Sequence, residues 1–231
     1  MNIALNGFGK AAEPSVSAAQ QVERDLREAI ISLKLKPGTR LSEQELADGL
    51  SVSRQPVREA LIALGRASLV EVRPKRGTLV VKISARKMME ARFVREAIET
   101  AVVRRACESF DPWARATIDT SLSRQRAACA AGDYTVFRKE DELFHIAVAN
   151  GAGCGLAWNV IADIKAHVDR VCNLQLRKAE SMPGLIRQHE DVVAAIDARD
   201  ADAAAAAMSA HLNSILVDLP TIAAEHPDLF E

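Results

Sequence analysis

Residues 42–81 read SEQELADGLSVSRQPVREALIALGRASLVEVRPKRGTLVV, and this stretch decides the fold of the first third of the chain. Ser42 and Glu45 have the spacing of a capping box, and Leu46, Ala47 and Leu50 give the short helix after them one apolar face. A second helix is predicted from Ser53, a good N-cap residue, with Pro56 in the first turn where its missing N–H does little harm. Val57, Ala60, Leu61 and Leu64 then recur at helical spacing. Residues 69–72 and 78–81 read as strands on either side of Arg73, Pro74, Lys75, Arg76 and Gly77. Two helices joined by a tight turn and followed by a hairpin make a winged helix-turn-helix.

A module of this kind places its second helix in the major groove of duplex DNA, with the early residues of that helix at the base edges. Those residues are Ser53, Arg54, Gln55 and Arg58, with Gln44 on the helix before. Arginine pairs bidentately with guanine O6 and N7 and also grips phosphate. Lys75 and Arg76 supply positive charge to the hairpin turn, and Gly77 can take the positive φ that a close approach to phosphate requires. A small helical domain with a solvated basic face would explain two arginines. It would not explain the turn, the helix pattern and the basic wing together.

The chain has 231 residues, enough for two ordinary domains. No apolar run reaches the length of a membrane span. Residues 1–17 lack a long apolar core with basic flanks, so they read as a loose arm rather than a secretion signal. Cys107, Cys129, Cys154 and Cys172 show no CxxC spacing, which suits a reducing cytoplasm. The net charge of −1 hides an asymmetry. Residues 1–82 hold 13 Lys/Arg against 9 Asp/Glu, a balance of +4, and the remainder hold 17 against 22, a balance of −5. A basic head on an acidic body fits a DNA reader, here residues 18–83, joined to a part with another task.

The second part reads as a helical bundle, so the whole chain is expected to be mainly α. Helices are predicted over 84–109, 113–131, 134–150, 156–180, 185–198 and 200–219, with a tail over 220–231. Six helices in that span form an antiparallel bundle, and the linker near 82–85 is short. Asp141 and His145 stand at i and i+4 on one helix face. His189 and His211 fall in the last two helices, which form a hairpin with Arg199 at its turn. Three imidazoles and a carboxylate suit Zn, Ni, Mn or Fe. Surface or capping histidines beside a solvated carboxylate are the plainer account of the same residues.

The phrase VSRQPVREAL over residues 52–61, with Arg76 and Gly77 in the wing, resembles the GntR family of bacterial transcription regulators. That resemblance covers roughly residues 18–83 and implies operator contacts by Arg54 and Arg58, with Gly77 nearing the minor groove. Gln44 stands where some members carry another DNA-contacting Arg, and Ser51 replaces the usual turn Gly. DELFH over 141–145, QHEDVVAAIDARDADAA from Gln188 and AHL over 210–212 resemble the FCD effector domain of many such regulators, over roughly residues 86–219. The length is closer to the VanR-like branch than to the longer FadR-like members. The resemblance implies a divalent metal, zinc first, held by Asp141, His145, His189 and His211. Arg95 resembles an arginine that faces the effector cavity in that family, and His167, midway along its helix, is a further candidate for lining it.

The function expected from these readings is a homodimeric DNA-binding regulator, a repressor in the commoner case. Its affinity for a pseudo-palindromic operator would be set by a small carboxylate bound at the metal. Two rivals use the same residues: a metal-dependent enzyme with a 2-His-1-carboxylate site, and a regulator for which the metal itself is the signal.

Overall fold

The computed structural model describes residues 17–73, 77–176 and 181–231. The N-terminal part comprises α1 (Ala18–Ile31), β1 (Arg40–Leu41), α2 (Glu43–Leu50), α3 (Arg54–Arg66), β2 (Val70–Arg73) and β3 (Gly77–Val80). Ser17 opens α1 with a reciprocal capping box: its hydroxyl accepts from Gln20 N–H while the Gln20 side chain accepts from Ser17 N–H. Ser42 caps α2 through a single bond from Glu45 N–H, at 3.4 Å. Ser53 takes the N-cap position of α3 in extended conformation, without a side-chain capping bond. Ser51 ends α2 in the left-handed region at φ 55°, so the helix-turn-helix turn asks a non-glycine residue for a conformation that suits glycine.

The three strands pair antiparallel in the order β1-β3-β2, with Val70 opposite Val80 and Arg73 opposite Gly77. The hairpin occurs where it is expected, and the two-residue β1 adds an edge that is too short to show a period-2 pattern in the sequence. Val22, Leu26 and Ile30 of α1 pack on Val57, Leu61 and Leu64 of α3, with Leu69 and Val80 closing the core. This apolar layer fixes α3 from behind and leaves its opposite face to solvent.

The remainder consists of α4 (Ala85–Glu108), α5 (Pro112–Ala131), α6 (Tyr134–Gly151), α7 (Gly155–Ile164), α8 (Ala166–Gln175), α9 (Ser181–Asp197) and α10 (Ala201–Glu225). The mainly helical architecture is as expected, with seven described helices in place of six. The single helix predicted over 156–180 breaks at Lys165, whose side chain turns inward to Asp169. Helix α9 is described from Ser181, ahead of the predicted 185. Helix α10 runs past Leu219 and through Pro220 to Glu225. Asp111 with Pro112 starts α5, and Gly132 at φ 65° ends it.

The two parts meet along α8 and the chain end. Ala166 belongs to the apolar cluster under α3. Arg170 Nη1 donates to Val81 O at 2.9 Å. Ile83 bridges to Phe230: its N–H donates to Leu229 O at 2.8 Å, and its carbonyl accepts from Glu231 N–H at 3.1 Å. Among the described residues no helix is long and apolar enough to cross a membrane.

Candidate functional sites

The exposed side of α3 carries the residues expected to meet DNA. Arg54 and Arg58 keep 57% and 53% of their side chains in solvent, and both reach Glu43 at the start of α2. Arg54 Nη2 donates to Glu43 Oε2 at 3.2 Å, and Arg58 donates from Nε at 3.1 Å and Nη2 at 3.0 Å, one bond to each carboxylate oxygen. The hydrogen bond from Arg58 holds the Glu43 carboxyl below its ordinary range. Gln55 bonds Glu59 and Gln44 bonds Asp48, each at 2.8 Å along its own helix. Ser53 is exposed at the same end. Gly77 sits at φ 79°, where an added Cβ would come within 3.3 Å of Arg40 Nε. The expected contacts Lys75 and Arg76 lie outside the described residues, as does the arm before Ser17.

The second constellation is brought together inside the bundle. Asp141 and His145 come from α6, His189 from α9 and His211 from α10, with their ligand atoms within 4.8 Å of one another. His211 Nε2 lies 3.3 Å from His189 Nε2 and 3.2 Å from His145 Nε2, and Asp141 Oδ1 lies 3.4 Å from His189 Nε2. The Nδ1 atoms face outward to acceptors: His189 to Gln125 Oε1 at 2.9 Å, His211 to Gln188 Oε1 at 3.1 Å, and His145 to Glu99 Oε2 at 2.5 Å. Protons on Nδ1 leave three Nε2 lone pairs and a carboxylate aimed at one point, an arrangement that asks for a cation. Metal–nitrogen bonds of about 2.0–2.1 Å put neighbouring ligand atoms about 3.0–3.4 Å apart, which matches these separations. Burial, reinforced by the neighbouring histidines, holds His189 and His211 well below the usual histidine range, in the neutral form a metal needs.

The cluster opens on a cavity lined by Arg92, Arg95, Arg138, Trp158 and Lys165, together with Asp141 and His211. Arg95, an expected residue, is buried and donates to Glu99 Oε1 at 2.5 Å. Burial opposes ionisation of Glu99, but Arg95 and His145 outweigh it and hold the carboxyl far below its ordinary range. Glu99 therefore ties the cavity cation to the histidine cluster. Arg95 and Lys165 each lie within 6 Å of the centre of the Trp158 ring. Trp113, by contrast, is exposed on α5.

His167 is not among the residues lining this cavity. Its Nδ1 accepts from Ser84 N–H at 3.0 Å, at the entry to α4. Burial, with Arg170 and Lys87 nearby, lowers its pKa to about 4 and keeps it a neutral fastener of the linker. Glu99, Gln125, Arg92, Arg138 and Lys165 did not emerge from the sequence. The i,i+4 spacings of Arg95–Glu99, Arg92–Glu96 and Lys165–Asp169 were local signals, whereas Gln125 with His189 and Arg138 with Glu28 join helices far apart in the chain.

A small sheet after a helix-turn-helix, joined to an all-helical second part, defines a DNA-binding regulator. The model of the gntR family of bacterial regulatory proteins matches residues 18–80, and that of the FCD domain matches residues 90–214. The HTH-type transcriptional repressor RspR of Escherichia coli K12 is 38% identical over 217 residues, covering 94% of this chain and 95% of its own. The gluconate operon transcriptional repressor of Bacillus subtilis is 28% identical over 193 residues, covering 80% and 77%. Among solved structures, E. coli McbR/YncC superposes with a TM-score of 0.77 at 23% identity over 92% of this chain and 100% of that one, a likeness of fold. The chain belongs to the gntR family and carries an FCD domain: it is a transcriptional regulator, and these relatives are regulators, not enzymes.

Proposed function

We propose that this regulator is a cytoplasmic repressor whose operator binding is set by a small organic acid held beside a divalent cation in the helical domain. The observation that carries this reading is the convergence of three Nε2 atoms and Asp141 on one point that opens on a cavity lined with arginine and lysine. Asp141, His145, His189 and His211 hold the cation, with zinc first and nickel, manganese or iron as alternatives for a nitrogen-rich donor set. When bound, the cation offers coordination to carboxylate oxygens. Arg95, Arg92 and Lys165 supply the charge complement and orient the acid, and Trp158 gives it an apolar wall.

Residues 18–83 form the DNA-binding domain, with Arg54, Gln55, Arg58, Ser53 and Gln44 at base edges and Lys75, Arg76 and Gly77 against the backbone. Residues 84–219 form the effector and dimerisation domain. Phe93 on α4 and Leu156 on α7 stay exposed on two helices that pack together, a surface suited to a second copy. Two heads then read a pseudo-palindromic operator, and the acid shifts their relative placement. The repressor sense follows the similarity to RspR and the gluconate operon repressor.

A thermal-shift screen of zinc-loaded and metal-stripped protein against a panel of small carboxylates tests this. An acid at 100 times its dissociation constant is expected to stabilise the loaded protein by about 2.7 kcal/mol and to leave the stripped protein unmoved. Strong stabilisation by zinc alone, with no response to any acid, would replace this reading with a metal-sensing regulator.

A further inference from the structure

One buried guanidinium joins the two domains. Arg138 on α6 keeps only 10% of its side chain in solvent, and its Nη2 donates to both carboxylate oxygens of Glu28 on α1, at 2.5 Å. The same arginine lines the cavity that holds Asp141 and His211. A second cleft, between α1 and the bundle, lies against the same side chains: Arg138, Glu142, Lys165 and Asp169 line both spaces. Within that shared layer Lys165 Nζ lies 2.7 Å from Asp169 Oδ1 and 3.5 Å from Glu142 Oε1. A partition one charged side chain thick therefore separates the histidine cavity from the seam between the domains. Across this partition α1, the helix that backs the DNA-reading α3, contributes Glu28 as counter-charge.

A nearly desolvated arginine needs a counter-charge, and leaving it bare is strongly unfavourable. Glu28 is 39% exposed, so its carboxylate can return to water at little expense. A carboxylate arriving in the cavity offers Arg138 the same chemistry from the other side. The exchange conserves the number of charge-assisted bonds, so the guanidinium is poised between two similar partners. We propose that Arg138 is the coupling residue of this regulator. A carboxylate bound in the histidine cavity takes the guanidinium from Glu28 and frees the DNA-binding domain to move. This rests on the acid-sensing reading above and names its route.

Amide hydrogen exchange on the full chain tests the route, using zinc-loaded protein with and without citrate as the probe. Without citrate, Glu28→Gln is expected to raise exchange over residues 18–31 about tenfold. Citrate is expected to raise wild-type α1 exchange comparably and to add little in Glu28→Gln. Arg27→Gln serves as the control, since Arg27 pairs with Glu23 within α1. An equal rise in that variant would make the effect a general loosening of the helix and overturn the latch. Unchanged α1 exchange in Glu28→Gln would do the same. Citrate protection of α4 and α6 with α1 unmoved would keep the acid site and overturn the coupling. Loosening by Glu28→Gln with no citrate response anywhere supports the latch and tells against the acid-sensing reading instead.

Discussion

Arg54 and Arg58 share the Glu43 carboxylate in the open, half in solvent, while Arg95 and Glu99 pair out of water beside the histidine cluster. Both regions use arginine against glutamate, and burial makes them behave in opposite ways. An exposed pair contributes little and is screened by salt, so another anion can displace Glu43 readily. Glu43 holds the two guanidiniums side by side. Removing one partner from a buried pair leaves an uncompensated charge, at about 3–5 kcal/mol. The reading face is thus built for exchange and the cluster for permanence. Arg138 stands between these regimes, buried on its own side and paired to a half-exposed carboxylate.

The contrast breaks most sharply at His189, which is fully buried and stacked on Phe144. His189→Ala is expected to lower zinc affinity by more than about 100-fold, since removing only an outer partner of a ligand already lowers it 10–100-fold. Metal analysis after dialysis reads this directly, and a fully metallated variant would remove His189 from the site. Operator binding by the ligand-free variant should stay near wild type.

Arg58→Ala sharpens the comparison from the other side. Operator affinity is expected to fall about 10–100-fold, the worth of one good bidentate contact, while metal content and melting temperature hold. Because its partner Glu43 is exposed, little stability goes with it. Unchanged affinity in a titration against operator DNA would take Arg58 out of the interface.

The smallest effect belongs to the turn that sets the two helices of the reader. Ser51→Gly relieves a left-handed backbone but gives the unfolded chain more freedom, so a net gain of about 0.5 kcal/mol is expected. In a chain of this size that raises the melting midpoint by about 1–2 °C. A drop would show that the Ser51 conformation carries no strain.

Legibility in the sequence followed chain distance. α2, α3 and the hairpin emerged because capping residues, helical spacing and turn residues lie within one forty-residue window. Asp141 and His145 emerged because i,i+4 needs only a helix. The break at Lys165 did not, since the residues around it keep helical propensity; there the Lys165 side chain pairs with Asp169 and Glu142. His167 was drawn to the cavity by its place midway along a predicted helix. That helix is in fact two, and His167 faces the linker instead.

The amino-acid sequence by itself determined α2, α3, the hairpin strands, the helical body and the four candidate ligands, because each rests on residue type and short-range periodicity. Only the packing of α4, α5, α6, α9 and α10 decided that the three Nε2 atoms share one point. The partner that turns each Nδ1 outward is Glu99, Gln125 or Gln188, and all three come from helices other than the histidine's own. The tertiary fold alone also decided that α1 lends Glu28 to Arg138, 110 residues away. A charge pair across that separation leaves no periodic trace in the chain; it exists only where folding has removed the water between its partners.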